Sequence, residues 1–216
     1  MSDAQVSVTA PPVSAIADVL ALWGRDGWLT PPLRPVVPST RSILSGVRIV
    51  EVRATPGGAG IGPIYALLSS PLAGQVVLIA GAQPVPGAMW GEILSTAAAQ
   101  YGAAGVLVDG AVRDRPAMSA IGLPIYAASE AVVGPAGQVE VIGTDRAVIV
   151  GGATVSPDDL VVIDETGCVR VRAAELDEVM EAAERYAAAE ELVVKALDAG
   201  TPLTEAYRHK QTVVAE

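Results

Sequence analysis

The chain has 216 residues, is 51% hydrophobic and 18% charged, and carries a formal net charge of −10. No apolar run reaches the ~18 residues of a membrane-spanning helix, the N-terminus lacks the basic flank and apolar centre of a secretory signal, and one cysteine, Cys168, excludes an internal disulfide framework. These features predict a cytoplasmic protein without a membrane partner.

The charges are unevenly distributed along the chain. Residues 1–150 contain ten acids and eight bases, whereas residues 151–216 contain fourteen acids and six bases. A long helix with a solvated acidic face explains much of the second imbalance. Because the sequence contains no basic patch, we expect no nucleic-acid partner.

The scarcity of Lys, His and Cys disfavours several kinds of catalysis. The two lysines, Lys195 and Lys210, and the single histidine, His209, lie near the C-terminus. Lys195 is expected on an exposed helix, which does not suit a Schiff-base lysine, and a Ser-His-Asp or Cys-His device would have to recruit His209 from the tail. We expect His209 to be exposed and Cys168 to be a small core residue. A metal would be a hard ion held by oxygen atoms, such as Mg²⁺, Mn²⁺ or Ca²⁺.

Apolar periodicity and turn formers divide the first part of the chain into alternating elements. The predicted elements are a helix over 13–23, a proline-rich loop over 30–40, a strand over 47–54, a glycine loop over 55–62, a short helix over 64–70 and a buried strand over 75–80. The glycine loop lacks a strict G-x-G-x-x-G opening a helix and an acid after a following strand, which disfavours a dinucleotide site.

The second part becomes rich in predicted strands and ends in a long helix. The predicted elements are a helix from Trp90 to about Tyr101, strands over 105–109, 123–129, 138–143, 147–155, 159–164 and 168–172, and a helix over 173–199. Gly110 is expected to turn the chain, residues 164–167 to form a hairpin turn, and the polar tail after Gly200 to be partly disordered. Consecutive strands after βαβ units favour a layered α/β sandwich with two sheet layers over a simple Rossmann sheet.

The segment from Trp90 to Asp114 places charged residues at both ends of an apolar helix–turn–strand unit. Glu92 falls in the first turn of the predicted helix, whose free backbone N–H groups form a natural anion site. Folding the strand back along the helix brings Arg113 and Asp114 beside Glu92. The free amides belong to Gly91, Glu92, Ile93 and Leu94.

These groups together suit a small 2-oxo acid. Two carboxylates and water can hold a hard divalent cation, while a guanidinium and free amides can hold a carboxylate. A metal at this position would stabilise an enolate by Lewis-acid polarisation, as in a metal-dependent aldolase or a 2-oxo acid decarboxylase. The spacing alone also allows a structural interpretation, because an acid in a first helical turn stabilises the helix by about 0.3–1 kcal/mol.

The stretch GEILSTAAAQYGAAGVLVDGAVRD resembles the signature of the RraA-like family, and IGLPIYA and VIVGGATVSPDDLVVIDETGCVRV support the resemblance. It covers roughly residues 13–185. The family includes class II pyruvate aldolases acting on 4-hydroxy-4-methyl-2-oxoglutarate and 4-carboxy-4-hydroxy-2-oxoadipate, and the regulator of ribonuclease E activity. Its fold is an α/β/β sandwich of the swivelling-domain type. The resemblance therefore implies one such domain over 1–172, and a C-terminal helix and tail over 173–216 that pack on it or on a neighbouring subunit.

The same resemblance implies roles for individual residues. Asp114 would be a direct ligand of Mg²⁺ or Mn²⁺, Glu92 a second metal-site acid, and Arg113 the group that binds the substrate and its enolate. Backbone contacts would come from Gly91, Ile93 and Leu94. Family members are usually homotrimers or homohexamers with active sites at subunit clefts, which we expect here as well.

Three hypotheses about function follow. The first is a lyase that releases pyruvate from a 4-hydroxy-2-oxo acid by retro-aldol cleavage, with oxaloacetate decarboxylation at the same site. The second is a non-catalytic regulator that binds a protein partner such as a ribonuclease. The third is reuse of the scaffold for another enolate-forming reaction.

The segment GIGPIYALL lacks the polar Asp-Asn pair of many members, and RPAM after Arg113-Asp114 lacks acids. These differences predict a substrate whose distal end is smaller or more apolar than a tricarboxylate.

Overall fold

The computed structural model describes residues 10–214. Residues 1–9, in which the sequence predicts no secretory signal, and residues 215–216 of the predicted tail lie outside this range. The helices are α1 (Val13–Leu22), α2 (Gly62–Leu67), α3 (Glu92–Gln100), α4 (Arg115–Ile121), α5 (Leu176–Asp198), α6 (Leu203–Ala206) and α7 (Arg208–Val214), with a 3₁₀ turn at Ala173–Glu175. The strands are β1 (Arg34–Val37), β2 (Ile43–Ala54), β3 (Val76–Ala80), β4 (Ala88–Trp90), β5 (Gly105–Val112), β6 (Ile125–Glu130), β7 (Val139–Thr144), β8 (Val148–Val150), β9 (Ala153–Val155), β10 (Leu160–Asp164) and β11 (Gly167–Val171).

Nine strands form one mixed sheet, and two form a separate hairpin. The large sheet has the order β1-β6-β5-β3-β2-β10-β11, with β4 added to β5 and β7 added to β2. Strands β2, β3, β5 and β6 are parallel, as βα units require, whereas β1, β7, β10 and β11 pair with antiparallel neighbours. Strands β8 and β9 form the hairpin.

Alternating side chains of the sheet separate two cores. On β3, Val77 and Ile79 face the layer of α2, α3 and α4, whereas Val76 and Leu78 face the β8–β9 hairpin. All four are essentially inaccessible to solvent, and burying each contributes about 1.5–3 kcal/mol. The order of layers is therefore helix, sheet, hairpin, which confirms the predicted α/β/β sandwich.

The long C-terminal helix packs on the antiparallel end of the sheet. Helix α5 has 23 residues and contacts α1 and α7, and its buried face includes Val179, Ala183 and Tyr186. These side chains share a third core with Ile16 and Leu20 of α1 and with residues of β10 and β11. The opposite face of α5 carries exposed acids, as expected for a solvated helix.

Several predicted elements are confirmed with shifted boundaries. Strand β2 begins at Ile43, earlier than predicted, and the proline-rich loop contains the short edge strand β1, where proline is tolerated. Residues Glu165 and Thr166 form the predicted turn between β10 and β11. Helix α4, which the sequence did not reveal, begins with Pro116 in its first turn.

Four predictions about local structure are wrong. The strand predicted over 147–155 is a hairpin of β8 and β9 that turns at Gly151 and Gly152. Trp90 is the last residue of β4 and not the first of a helix, because it pairs with Val112 of β5. Gly110 lies within β5 instead of turning the chain, and a Cβ there would approach the Cβ of Ala82 to 2.6 Å. Close packing, not a turn, therefore explains this glycine. Residues 203–214 form α6 and α7 on α5, so the described part of the tail is ordered.

Across residues 10–214, every helix is either too short or too polar to cross a lipid bilayer.

Candidate active site

The candidate site lies where β4 and β5, which are parallel neighbours, both end. Trp90 pairs with Val112 in the sheet, and the N–H of Arg113 donates to the carbonyl oxygen of Trp90 at 3.0 Å. Helix α3 begins two residues after Trp90, so its N-terminus faces the end of β5. Carboxyl ends of parallel strands are the usual position of ligand sites in α/β folds.

Gly91 keeps the space at this sheet edge open. Its backbone is extended, with φ −170° and ψ −162°. A Cβ at this position would lie 2.7 Å from Oδ2 of Asp114 and 3.2 Å from Cγ of Arg113. A larger residue would therefore displace both charged side chains.

A buried hydrogen-bond chain fixes the orientation of the Gly91 peptide. The indole N–H of Trp90 donates to Oγ of Ser95 at 2.8 Å, and the Ser95 hydroxyl donates to the Gly91 carbonyl at 2.8 Å. Both side chains are buried. The sequence analysis did not identify these two residues. The sequence does show the pattern, a tryptophan just before the helix and a serine one turn into it.

Asp114 is held in an unusual backbone conformation. Its φ of +61° and ψ of +33° lie in the left-handed region, which aspartate tolerates better than most residues. Its carbonyl accepts the Met118 N–H at 3.0 Å and so starts α4. Its Oδ2 atom lies 3.4 Å from the backbone N of Glu92 and 3.5 Å from Nε of Arg113. The strained backbone thus places the carboxylate between a helix N-terminus and a guanidinium.

These groups line a cleft of about 190 Å³. The structure brings together all of the site residues that the sequence predicted, namely Gly91, Glu92, Ile93, Leu94, Arg113 and Asp114. The cleft is small for a ligand site, since drug-sized ligands occupy about 300–1,000 Å³. Its size and its cationic group suit a small anion.

The Arg113 guanidinium lies close to Gly134, in a loop that the sequence analysis did not identify. A Cβ on Gly134 would lie 3.5 Å from Nη1 of Arg113. The loop is attached to the sheet on both sides of the site, since Ala88 N–H donates to the Val133 carbonyl and Ala131 N–H donates to the Val112 carbonyl. Because the residue nearest Arg113 in this loop is a glycine without a side chain, the sequence gave no sign of it.

Asp109 accepts hydrogen bonds from the loop between β3 and β4, and the sequence analysis did not identify it either. It lies on β5 and is buried, and burial raises the pKa of its carboxyl while hydrogen bonds favour the carboxylate. Those hydrogen bonds come from Nε2 of Gln83 at 2.7 Å and from the N–H of Gly81 at 3.1 Å. Asp109 therefore fixes the loop that leads from β3 into β4.

The donor set at the cleft fits a hard, largely hydrated cation. Glu92 and Asp114 provide two carboxylates, and Mg²⁺ usually binds through one or two carboxylates while keeping several waters. Among the residues that the structure describes, His, Cys, Asp and Glu nowhere form a group of three or more that could hold a metal.

The remaining nucleophile candidates lie elsewhere. Cys168 packs against the core beneath the β8–β9 hairpin, and burial, with the nearby charge of Asp164, raises the pKa of its thiol to about 12. The thiol is therefore protonated at neutral pH and unreactive. His209 is exposed on α7, as predicted.

A guanidinium, a helix N-terminus and two carboxylates therefore lie together at an edge of the parallel strands. Comparison with known proteins shows the family to which the chain belongs. The model of the RraA-like family, described as Aldolase/RraA, matches residues 13–170. The chain belongs to the RraA-like family.

Two relatives carry aldolase names. A protein of Halalkalibacterium halodurans is 27% identical over 202 residues, which cover 92% of this chain and 90% of the relative. A protein of Albidiferax ferrireducens is 31% identical over 128 residues, which cover 59% of this chain and 66% of the relative. Both are provisionally named 4-hydroxy-4-methyl-2-oxoglutarate aldolase. These names support an aldolase-like enzyme.

Solved structures share the fold. An uncharacterized protein from Pseudomonas syringae superimposes with a TM-score of 0.81 at 22% identity, covering 92% of this chain and 89% of that one. RraAS2 of Streptomyces coelicolor, described as an unusual member of the RNase ES inhibitor RraA family, gives a TM-score of 0.74 at 22% identity, covering 88% and 95%.

Proposed function

We propose that this protein is a divalent-metal-dependent lyase that cleaves a C–C bond of a 4-hydroxy-2-oxo acid and releases pyruvate. One observation supports this function above the others: Arg113, Asp114 and the N-terminus of α3 converge on one small cleft. The same groups would allow oxaloacetate to be decarboxylated, because both reactions create negative charge on the same three-carbon fragment.

Each group at the cleft would have a separate role in binding or catalysis. The free amides at Gly91, Ile93 and Leu94 and the guanidinium of Arg113 bind the substrate carboxylate and the adjacent oxygen. Arg113 also stabilises the charge that develops on that oxygen as the C–C bond breaks. Asp114 and Glu92 would hold Mg²⁺ or Mn²⁺, which supplies Lewis-acid stabilisation of that charge when bound.

The first test is pyruvate release from oxaloacetate, followed with lactate dehydrogenase. We expect release with Mg²⁺ or Mn²⁺ that exceeds the rate with metal alone, and its loss in excess chelator. If added metal restores the activity, the chelator removed the metal and did not denature the protein. Absence of protein-dependent release from both oxaloacetate and 4-hydroxy-2-oxo acids would exclude the lyase.

A second candidate function is a regulator that binds a ribonuclease. The likeness to RraAS2, whose description contains RNase ES inhibitor, favours it at the level of fold. The loop beside the cleft also exposes Val132 and Val133, and exposed apolar side chains are typical of interaction surfaces. Stoichiometric binding of a purified ribonuclease, combined with absence of lyase activity, would favour the regulator.

We also propose a homotrimer or homohexamer with the cleft near the subunit boundary. Large apolar side chains around the cleft support this arrangement, because solvent exposure of such groups is costly unless a partner covers them. They are Tyr65, Ile93, Val132 and Val133.

A further inference from the structure

The hydroxyl of Ser95 links the end of β4 to the first peptide of α3. It accepts the indole N–H of Trp90 at 2.8 Å and donates to the carbonyl oxygen of Gly91 at 2.8 Å. The same carbonyl oxygen also accepts the backbone N–H of Ser95 at 3.0 Å. Ser95 is fully buried and Trp90 is almost so, which keeps water from replacing these hydrogen bonds. Two donors from one residue therefore hold the Gly91 carbonyl in place.

The peptide between Gly91 and Glu92 carries this constraint to the cleft. A trans peptide is planar, so its C=O and N–H groups point in opposite directions. Because the carbonyl is directed at Ser95 inside the helix, the N–H of Glu92 points out of the helix N-terminus. There it meets Oδ2 of Asp114, which lies 3.4 Å from the nitrogen. The direction of this N–H is therefore set by the two hydrogen bonds that Ser95 donates.

The Asp114 carboxylate depends on the Glu92 N–H for its orientation. The side chain is exposed, and its other polar contact among residues 10–214 is with Nε of Arg113 at 3.5 Å. The proposed function assigns that guanidinium to the substrate, so a bound substrate would compete for it. The Glu92 N–H faces no such competition, because other amides of the helix start are assigned to the substrate. It is therefore the contact that can hold the carboxylate while a ligand is bound.

The hydrogen bonds of Ser95 are complete within one chain. Trp90 packs among core residues of its own subunit, and Ser95 has no surface that is accessible to solvent. A second copy that covers the cleft would therefore neither supply nor displace these hydrogen bonds. The orientation of the Gly91 peptide does not depend on the number of subunits.

We propose, on the basis of the lyase function above, that Ser95 is a positioning residue for Asp114. Its hydroxyl, which is held by the Trp90 indole, fixes the Gly91–Glu92 peptide. The Glu92 N–H then keeps the Asp114 carboxylate in the orientation that suits a divalent cation. Ser95 itself touches neither the substrate nor the metal.

Ser95→Ala removes the hydroxyl and keeps a residue that favours the helix. We expect the Kd for Mg²⁺, measured by calorimetric titration, to rise about tenfold or more, because groups that orient metal ligands typically contribute 10–100-fold to metal affinity. At saturating Mg²⁺, kcat for pyruvate release should fall about tenfold, while KM for oxaloacetate should change less than about twofold. A loss of folded protein alone would lower the rate and leave the Kd for Mg²⁺ unchanged.

The neighbouring residue provides the matched control. The Thr96 hydroxyl also donates to the carbonyl four residues earlier, that of Glu92, at 3.0 Å. Thr96 is exposed, so water can replace its hydroxyl, and the peptide that it contacts does not direct an N–H at Asp114. Thr96→Ala should therefore keep the Kd for Mg²⁺ within about twofold of the wild type. Equal Mg²⁺ affinity of Ser95→Ala and the wild type would overturn the inference.

Metal-free crystal structures of the wild type and both variants distinguish failure of this inference from failure of the lyase. In Ser95→Ala we expect the distance between Glu92 N and Asp114 Oδ2 to exceed the roughly 3.5 Å limit of a hydrogen bond, whereas in Thr96→Ala it should not change. An unchanged distance in Ser95→Ala overturns the inference, whatever the activity of the wild type. A wild-type protein that neither binds Mg²⁺ nor releases pyruvate overturns the lyase, and a lengthened distance in Ser95→Ala alone then still supports Ser95 as the residue that orients Asp114.

Discussion

Asp114 combines a costly backbone conformation with a position between a guanidinium and a helix N-terminus. A left-handed conformation costs a non-glycine residue roughly 1–2 kcal/mol, and such strain persists where the surrounding structure enforces it. Asp114→Asn retains the shape and the tolerance of the left-handed region while removing the charge. We expect pyruvate release to fall by about 100-fold or more and Mg²⁺ affinity to fall with it.

The chain offers a matched control for this substitution. Asp145 is also an aspartate with positive φ, at +46°, and also pairs with an arginine, Arg48, at 2.9 Å. The exposed fractions of the two side chains are 39% and 42%. Asp145→Asn should leave activity unchanged, and equal activity of Asp114→Asn and wild type would contradict the assigned role. Circular dichroism and the urea midpoint of both variants separate folding from function.

At the scale of elements, the C-terminal helices depend on one buried lysine. Lys210 on α7 donates to Oε1 of Glu190 on α5 at 2.6 Å and lies 4.3 Å from the centre of the Tyr186 ring. Burial opposes the charged form, but Glu190 and Tyr186 outweigh it and raise the pKa of Lys210. The charge therefore persists throughout the neutral range and fixes α7 on α5.

Removing this contact should loosen the C-terminus. Lys210→Met should lower the free energy of unfolding by about 1.5–3 kcal/mol, the contribution of a hydrogen bond to a charged group. Lys195→Met is the control, because the Lys195–Glu191 pair is exposed on α5 and is worth no more than about 0.5 kcal/mol. Urea unfolding measures both variants. Equal destabilisation of the two would show that the buried lysine is not the anchor.

The sequence predicts an element well where its local residue pattern determines the structure, and poorly where contacts with distant residues determine it. Strands β2 and β3 follow from their apolar pattern, and the turn between β10 and β11 follows from its residues. Gly110 was misinterpreted because the residue that requires it, Ala82, is distant in sequence. The tail was misjudged because its polar composition conceals the Lys210 anchor on α5.

The same distinction applies to the site. Arg113, Asp114 and the start of α3 were predictable because one βαβ connection brings them together. The loop over 131–138 was not, because Gly134, which lies close to Arg113, has no side chain that would reveal its position. Asp109 was also missed, since its partners lie on a loop that composition does not associate with β5.

At the scale of the whole molecule, exposed apolar side chains occur on more than one surface. On α5, Leu192, Val194 and Leu197 are exposed on a helix whose acids pair locally, as in Arg185–Glu181. The cleft lies beside Val132, which is 95% exposed, and Val133, which is 61% exposed. A monomer in water gains nothing from such exposure, and a second copy that covers this surface would remove it from solvent.

The proposed assembly predicts an oligomer that does not dissociate at micromolar concentration. Since the chain mass is 22.0 kDa, light scattering after size-exclusion chromatography should give about 66 kDa for a trimer or about 132 kDa for a hexamer. Val132→Asp places a charge in the covered surface, and we expect it to lower the mass toward that of the monomer. Ile149→Asp, on the β8–β9 hairpin, adds the same charge elsewhere and should leave the mass unchanged. A wild-type protein that elutes as a monomer at micromolar concentration would contradict the assembly, and the exposed valines would then belong to a surface for a different partner.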